Sequence, residues 1–241
     1  MRTVCIYTRK DFRGKPLLQR IRMAWEYSRE SWTMFLFFGI YMTSFTFLER
    51  VNRLHYTVIH MALDDSIPFV EQFVIPYFLW FPFIIFNVAY FYFYDRRMYH
   101  NVASTLIMGM SVMIIVSIVF PNIQYLRPEV MPRDNIFTRM VTRLYAGDTP
   151  TNICPSIHVY NTLCILAGLA HGNQYLAKCR AYRWPMNILG ILIILSTMFI
   201  KQHSVLDVVC AFIMMACTYV LVYRYDIILV SRKRRETLLD A

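Results

Sequence analysis

The segment His203-Ser204-Val205-Leu206-Asp207 opens the last long apolar run of the chain. A spacing of four places His203 and Asp207 on one face of a helix, within hydrogen-bond reach of each other. A carboxylate that binds one imidazole nitrogen fixes the tautomer and makes the other nitrogen a better nucleophile or base. The segment therefore predicts an apolar helix with a reactive histidine at its start, although an ordinary ion pair at a helix start has the same spacing.

A second polar segment, residues 149–155, leads into Ser156-Ile157-His158 and then into another apolar run. Pro155 suits the first turn of a helix, and the polar residues before it can cap that helix. Free backbone N–H groups at such a helix start point toward a bound anion, and Ser156 adds a hydroxyl donor. His158 lies about one turn further in, where it can give a proton to a leaving oxygen. A capped helix that carries an interfacial histidine is the alternative interpretation.

Arg127, in the loop after the third apolar run, adds a cation to this set. A guanidinium binds phosphate oxygens through two parallel hydrogen bonds. Three other arginines lie in the same loop, so a contact with solvent or a lipid headgroup is the alternative. Together the three pieces suit phosphoryl transfer without a metal. A metal site formed by His158, His203 and Asp207 is a weaker hypothesis, because phosphate chemistry explains Arg127 and Ser156 as well.

The composition is that of a polytopic helical membrane protein. Hydrophobic residues make up 57% of the 241 residues, and the mean hydropathy is +0.40, which is too apolar for a soluble domain. The net charge of +10 would suit a nucleic-acid binder, but the basic residues cluster between the apolar runs, where membrane proteins place them. We therefore expect a lipid bilayer as the environment and no nucleic acid as partner.

Six apolar runs predict an all-α membrane domain, residues 32–223, between a basic N-terminal segment, 1–31, and a basic C-terminal tail, 224–241. Several runs are shorter than the roughly 20 residues that a perpendicular span needs, so their bounds are approximate. Pro76 and Pro82 predict a kink in the second span. The predicted spans are 32–47, 69–94, 102–119, 155–170, 185–199 and 205–223.

The distribution of Lys and Arg predicts the orientation in the membrane. Eighteen of the 25 lie in the two terminal segments and in the loops that follow the second and fourth spans, against seven on the other side. The positive-inside rule then places both termini in the cytoplasm. Arg127, His158 and His203 all fall on the opposite side, so we expect an extracytoplasmic site. Asp64 and Asp65, on that side too, predict a helix cap, with contact to a substrate headgroup as the alternative.

In order and spacing, the three pieces resemble the signature of the type 2 phosphatidic-acid phosphatase superfamily, the membrane branch of the vanadium-haloperoxidase-like fold. That signature is Lys-x6-Arg-Pro, then Pro-Ser-Gly-His, then Ser-Arg-x5-His-x3-Asp. The resemblance covers about residues 100–223 and implies a core helical bundle of that type with about six transmembrane helices. The matching residues are Arg127-Pro128, then Pro155-Ser156-x-His158, then Ser196 with His203 and Asp207.

The resemblance also implies a role for each residue. His203 would attack phosphorus and form a phosphohistidine, Asp207 would orient His203, and His158 would protonate the leaving alcohol. Arg127 and Ser156 would hold the phosphoryl oxygens. Positive side chains and helix-start N–H groups do the electrostatic work in this scheme, so no cofactor and no metal is implied.

The sequence departs from the signature at three positions. Phe120 stands near the place of the first motif's lysine, Ile157 replaces the glycine of the second and offers only its backbone N–H to phosphate, and Thr197 replaces the arginine of the third. Lys201, two residues before His203, is a candidate substitute for one missing cation. This reduced pattern is similar to the branch that contains inositolphosphorylceramide and sphingomyelin synthases, which transfer a phospho-headgroup to a lipid alcohol.

The leading hypothesis is an integral-membrane lipid phosphatase that acts on a lipid phosphate or a polyprenyl diphosphate at the extracytoplasmic leaflet. One alternative is a lipid phosphotransferase built on the same residues. Another is a lipid-binding or transport protein that keeps the fold without catalysis, because two phosphate-binding cations are missing. The sequence carries no prediction of the oligomeric state.

Overall fold

The computed structural model describes residues 16–51, 55–172 and 179–229, and most of these residues are helical. A 3-10 turn spans Glu71–Phe73, and a π-helical turn spans Val220–Arg224. The predicted all-α architecture is confirmed. The α-helices are α1 Leu17–Arg50, α2 Ala62–Ser66, α3 Val74–Phe78, α4 Trp80–Tyr94, α5 Arg96–Val119, α6 Ile136–Gly147, α7 Ile157–His171, α8 Arg180–Phe199 and α9 Val205–Tyr219.

In the described part of the chain, four helical stretches are long and apolar enough to cross a membrane: Glu71–Tyr94, Arg96–Val119, Arg180–Phe199 and Val205–Arg224. They confirm the prediction of a polytopic membrane protein. The predicted fourth span corresponds to α7, whose 15 residues are fewer than the roughly 20 that a perpendicular span needs. The predicted first span, residues 32–47, lies within α1, a helix of 34 residues.

Besides α1, which begins at Leu17 rather than at residue 32, two helices begin earlier than predicted, because polar residues continue the apolar helix. α5 begins at Arg96 rather than at residue 102, and Asp95 caps it by accepting a hydrogen bond from the backbone N–H of Met98 at 3.1 Å. α8 begins at Arg180, and Pro185, the predicted start, lies inside the helix. Hydropathy alone therefore placed both starts too late.

The second predicted span consists of three pieces rather than one helix. The chain turns at Leu79, between α3 and α4. Pro82 lies in the first turn of α4, where its missing N–H removes no helical hydrogen bond, and Pro76 lies inside the short α3. The predicted kink stays a prediction, because Leu79 keeps helical backbone angles and its N–H donates to the carbonyl of Ile75.

Helices α5, α7 and α9 meet at Tyr160, a large and fully buried side chain. Its hydroxyl donates to the backbone carbonyl of Thr105 in α5 at 2.7 Å and lies 2.9 Å from the hydroxyl of Thr218 in α9. Gly109 leaves room for the ring, because a Cβ atom at that position would overlap it. The buried hydroxyl thus finds its hydrogen-bond partners on both neighbouring helices.

Short extended segments cover the end of the bundle where α5 stops and α7 starts. β1, Thr57–Val58, pairs in parallel with β2, Asn122–Ile123. The Asn122 side chain accepts hydrogen bonds from the backbone N–H groups of Ile153 and Cys154 at 2.8 and 2.9 Å. Asn122 therefore fixes the path of the chain just before α7 begins.

Gly109→Ala is expected to lower the free energy of unfolding by about 2 kcal/mol, because the added methyl group would overlap the buried ring of Tyr160. The measurement is unfolding of the purified protein in detergent. Gly39→Ala is the matched control: nothing lies within 4 Å of a Cβ atom there, so stability should stay the same or rise slightly. Equal effects of the two substitutions would contradict the packing around Tyr160.

Candidate active site

The structure brings His158, His203 and Asp207 together in one group. The Nδ1 atom of His158 lies 3.3 Å from Nε2 of His203, and Nδ1 of His203 lies 3.4 Å from Oδ2 of Asp207. The exposed fraction of the side chain is 7% for His203 and 0% for Asp207. With the carboxylate beside Nδ1, the lone pair of a neutral His203 lies on Nε2, the atom that faces His158.

Asp207 also caps α9. Its Oδ2 atom accepts a hydrogen bond from the backbone N–H of Ser204 at 2.9 Å, and Ser204 Oγ accepts one from the N–H of Leu206 at 3.1 Å. The carboxylate is therefore held by the helix start as well as by His203. Its separation of 3.4 Å from the imidazole is beyond that of a good hydrogen bond, so its main effect on His203 is electrostatic.

A second buried carboxylate, that of Asp64, holds the same helix start from the other side. Its Oδ1 atom accepts from the N–H of Val205 at 2.7 Å. Its Oδ2 atom accepts from the Ser204 hydroxyl at 2.6 Å and from the N–H of Met61 at 2.8 Å. The predicted capping role is confirmed, and besides the adjacent α2 it serves α9, 140 residues further along the chain.

Thr197 and Phe120 stand at the two positions where the superfamily motifs have a cation. Thr197 is fully buried, and its carbonyl accepts from the N–H groups of Gln202 and His203 at 2.9 and 3.0 Å. Thr197 thus fixes the turn that carries His203 through its backbone, while its hydroxyl donates to the carbonyl of Ile194. Phe120 follows the last residue of α5 and has 42% of its surface exposed.

Lys201, the candidate substitute for a missing cation, is hydrogen-bonded to backbone carbonyls. Its Nζ atom donates to the carbonyls of Asp64 and Ile67 at 2.6 and 2.5 Å. Burial lowers the pKa of Lys201, and the negative charges of Asp64 and Asp65 oppose that change. Two of its three donors hold the 64–67 segment against the turn before α9, so phosphate binding by Lys201 stays a prediction.

Ser156 is the N-cap of α7 and ties this helix to α9. Its Oγ atom accepts from the N–H of Val159 at 3.4 Å, and its own N–H donates to the carbonyl of Asp207 at 3.2 Å. Ser156 is fully buried, and Ile157 packs in the main hydrophobic core. The direct bond between the two helix starts sets the distance between the histidines. Phosphate binding by the Ser156 hydroxyl and the Ile157 N–H stays a prediction.

Arg127 is placed beside His203 through Gln202. Its guanidinium donates to the Gln202 side chain and to the carbonyl of Tyr145, and it lies 4.4 Å from the centroid of the Tyr145 ring. Its Nε atom is buried without a hydrogen-bond partner. Burial lowers the pKa of Arg127, and the negative charge of Asp148 is the largest effect opposing it. A bound anion would satisfy the remaining N–H group.

The sequence analysis missed Asp148, whose carboxylate lies between Arg127 and the histidines. Its Oδ2 atom accepts from the Tyr77 hydroxyl at 3.3 Å and from the Gln202 amide at 3.1 Å. Burial raises the pKa of Asp148, while the charges of His203 and Arg127 lower it. The only sequence feature that could have suggested it is its position, directly before the polar segment that leads into α7.

Two aromatic rings enclose His158. The centroid of its imidazole lies 4.7 Å from that of Tyr77 and 4.3 Å from that of Trp80. The aromatic segment around these residues predicted core packing or a lipid-tail groove, and the contact with His158 was missed. Burial and the positive charge of a protonated His203 lower the pKa of His158, which favours its neutral form. In the described residues, no three His, Cys, Asp or Glu side chains are placed to hold a metal ion.

The bundle and the His–His–Asp group define a helical membrane protein with an acid–base site at one end. Residues 110–227, which contain that whole group and Arg127, match the family model of the PAP2 superfamily. This part of the chain belongs to the PAP2 superfamily, and the resemblance to the type 2 phosphatidic-acid phosphatases is confirmed. Membership supports a lipid enzyme of the phosphatase or phosphotransferase type. No curated protein and no solved structure matches the chain.

Asp64→Ala is expected to lower the free energy of unfolding by about 3 kcal/mol, because the Ser204 hydroxyl and the Val205 N–H would lose their acceptor. Denaturant unfolding in detergent measures it. Asp65→Ala is the control, since that carboxylate is 69% exposed and its surface pair with His60 contributes little to stability. A loss at residue 65 as large as that at residue 64 would refute the capping role.

Proposed function

We propose that the protein is an integral-membrane lipid phosphatase that hydrolyses a lipid phosphate or diphosphate ester through a phosphohistidine on His203. One observation carries the proposal: Nε2 of His203 faces Nδ1 of His158 at 3.3 Å, while Asp207 lies beside the other nitrogen of His203. A nucleophile, its orienting acid and a proton donor are thus within reach of one bound phosphorus atom. No cofactor enters the scheme.

In the first step, Nε2 of His203 attacks phosphorus, and the bond from phosphorus to the lipid oxygen breaks. An imidazolium at His158 gives its Nδ1 proton to that oxygen, which leaves as an alcohol. Asp207 stabilises the positive charge that develops on His203. Burial beneath Tyr77 and Trp80 lowers the pKa of His158, so the imidazolium forms when a bound phosphoryl group brings negative charge beside it.

In the second step, water attacks the phosphohistidine. Neutral His158 takes a proton from the water, and the bond between phosphorus and Nε2 of His203 breaks, which releases phosphate and restores both histidines. Arg127 offers its unpaired Nε–H to a phosphoryl oxygen, and the start of α7 offers the backbone N–H of Ile157. The sum of these contacts replaces the electrostatic role that a metal has in other phosphatases.

We also propose that the site opens to the extracytoplasmic leaflet and that both termini are cytoplasmic. The support is the excess of Lys and Arg in the terminal segments and in the loops at the end of the bundle away from His203. A lipid whose phosphate lies at the membrane surface can then reach the histidines from the outer leaflet. Phosphatidate, phosphatidylglycerol phosphate and polyprenyl diphosphate are the candidate substrates.

His203→Ala is expected to reduce phosphate release by at least about a thousandfold, because it removes the nucleophile. The assay follows phosphate released from a panel of lipid phosphates by the purified protein in detergent with EDTA. An acid-labile, alkali-stable phosphoprotein should be trapped with wild type and be absent from the variant. His171→Ala, at the far end of α7, is the control and should keep wild-type activity. EDTA-sensitive release or a fully active His203→Ala protein would refute the mechanism.

A lipid phosphotransferase of the inositolphosphorylceramide and sphingomyelin synthase type is the second candidate. The observation that favours it is the absence of the motif cations at Phe120 and Thr197, as in the reduced pattern of that branch. A lipid alcohol would then take the place of water in the second step. A non-catalytic lipid-binding or transport protein is the remaining candidate, and it predicts that His203→Ala leaves the function in cells intact.

The acceptor is tested by incubating the protein with a phospholipid donor and a fluorescent ceramide or diacylglycerol. The proposed phosphatase should release phosphate from lipid phosphates and leave the fluorescent alcohol unchanged. Conversion of the fluorescent alcohol into a phospholipid, dependent on His203 and without release of free phosphate, would replace the phosphatase by the phosphotransferase. Neither product from a folded preparation would favour the non-catalytic protein.

A further inference from the structure

Asp148 is the one carboxylate that the described contacts link to all three functional parts of the site. Through Gln202 it is linked to Arg127, since Gln202 donates to Asp148 and accepts from the guanidinium. Through the Tyr77 hydroxyl it is linked to the ring that packs on His158. It also interacts electrostatically with His203. Its negative charge therefore acts on the place where a phosphoryl group would bind.

The charges around the proposed phosphoryl position are unfavourable for a ligand with two negative charges. Arg127 has one positive charge, whereas the ammonium group of Lys201 donates two of its three hydrogen bonds to backbone carbonyls. Asp148 and Asp207 bring negative charges, and Glu49 at the end of α1 adds another where it accepts from Thr149 and Thr151. The charged and titratable groups that face Asp148 are Tyr77 of α3, Arg127 of the loop before α6, His203 of the turn before α9 and Glu49 of α1.

A phosphate monoester and a phosphodiester differ in the negative charge that they place near Asp148. The second ionisation of a monoester has a pKa of about 6, so at pH 8 the group is a dianion, whereas a diester keeps a single charge. A carboxylate close to the phosphoryl group repels the dianion more strongly than the monoanion. Compared with its dianion beside an ionised Asp148, the monoester therefore binds with one extra proton. That proton lies either on the phosphate group or on the Asp148 carboxylate.

We propose that Asp148 is a specificity-determining residue that selects a phosphoryl group with a single negative charge, either a monoester in its monoanionic form or a phosphodiester. The inference rests on the proposed phosphoryl transfer and names the charge state of its substrate. Gln202 takes part by holding Asp148 and Arg127 at a fixed separation. The lipid tail and the acceptor do not enter the argument, because the selection acts at the phosphate alone.

The test compares dioctanoyl phosphatidate, a monoester, with dioctanoyl phosphatidylglycerol, a diester, between pH 6 and pH 8. The full-length protein in detergent is used, and the diester is scored by kcat/KM or, where it is not cleaved, by its inhibition constant. Any protonation step that affects the turnover of both lipids alike cancels in the ratio. The monoester-to-diester ratio of wild type should fall at least tenfold from pH 6 to pH 8, because protonated monoester becomes scarce.

Asp148→Asn removes the charge but keeps an acceptor for Gln202 and Tyr77. The monoester-to-diester ratio of this variant should change less than threefold between pH 6 and pH 8. At pH 8 it should exceed the wild-type ratio about tenfold. Asp148→Glu should restore the wild-type slope, and Asp148→Ser replaces the asparagine variant if that protein does not fold. Asp134→Asn is the matched control, since this exposed carboxylate pairs with Arg139 outside the site, and it should follow wild type.

The outcomes separate this inference from the proposed function. A wild-type ratio that does not depend on pH, or an Asp148→Asn slope equal to that of wild type, overturns the selection by Asp148 and leaves the phosphatase in place. The absence of turnover and of phosphohistidine with both lipids, in a folded wild-type preparation, overturns the proposed function and this inference with it.

Discussion

The capping of α9 by two buried carboxylates is the interaction on which the rest of the site depends. The first N–H groups of a helix have no partner within the helix, and in an apolar chain an unsatisfied N–H is costly. Asp207 satisfies these groups from inside α9, and Asp64 satisfies them from the short helix α2. Since His203 directly precedes the N-cap Ser204, the position of its imidazole follows from how the helix start is satisfied.

The same constraint sets the distance between the two histidines. Ser156 caps α7, and its N–H donates to the carbonyl of Asp207, so the starts of α7 and α9 are joined by backbone. The histidines are thus held at 3.3 Å by the frame around them, without depending on a bond between the rings. Tyr160, further along α7, binds the same helices together in the core. A site supported in this way loses little entropy when a substrate binds.

The electrostatics of the site differ from what its motifs alone would indicate. Thr197 contributes its backbone carbonyl where the superfamily motif has a guanidinium, and Lys201 uses its ammonium group to hold a loop. Arg127 lies between an aromatic ring and Gln202, with Asp148 as the nearest opposing charge. Positive charge is therefore scarce around the histidines, and the first N–H groups of α9 are already bound by Asp64, Ser204 and Asp207.

Much of this protein could be predicted from short-range pattern. The apolar runs predicted the membrane helices, and the spacing of four predicted that His203 and Asp207 lie close together, because both depend on residues close in sequence. The prediction that both lie on one helix face was wrong, because His203 lies in the turn before the N-cap Ser204. The bounds of α5 and α8 were wrong, since a helix continues into polar residues when its end is capped, as Asp95 shows for α5.

What the sequence determined by itself is the set of helices, the order of the three motif pieces and the residue types of the candidate site. Only the tertiary structure decided which other groups surround them. Asp64 reaches Ser204 across 140 residues, and Tyr77 reaches Asp148 across 71. No local periodicity encodes such contacts, because they arise from the way that the helix ends and their loops pack together. The charge that the substrate meets is therefore a property of the fold.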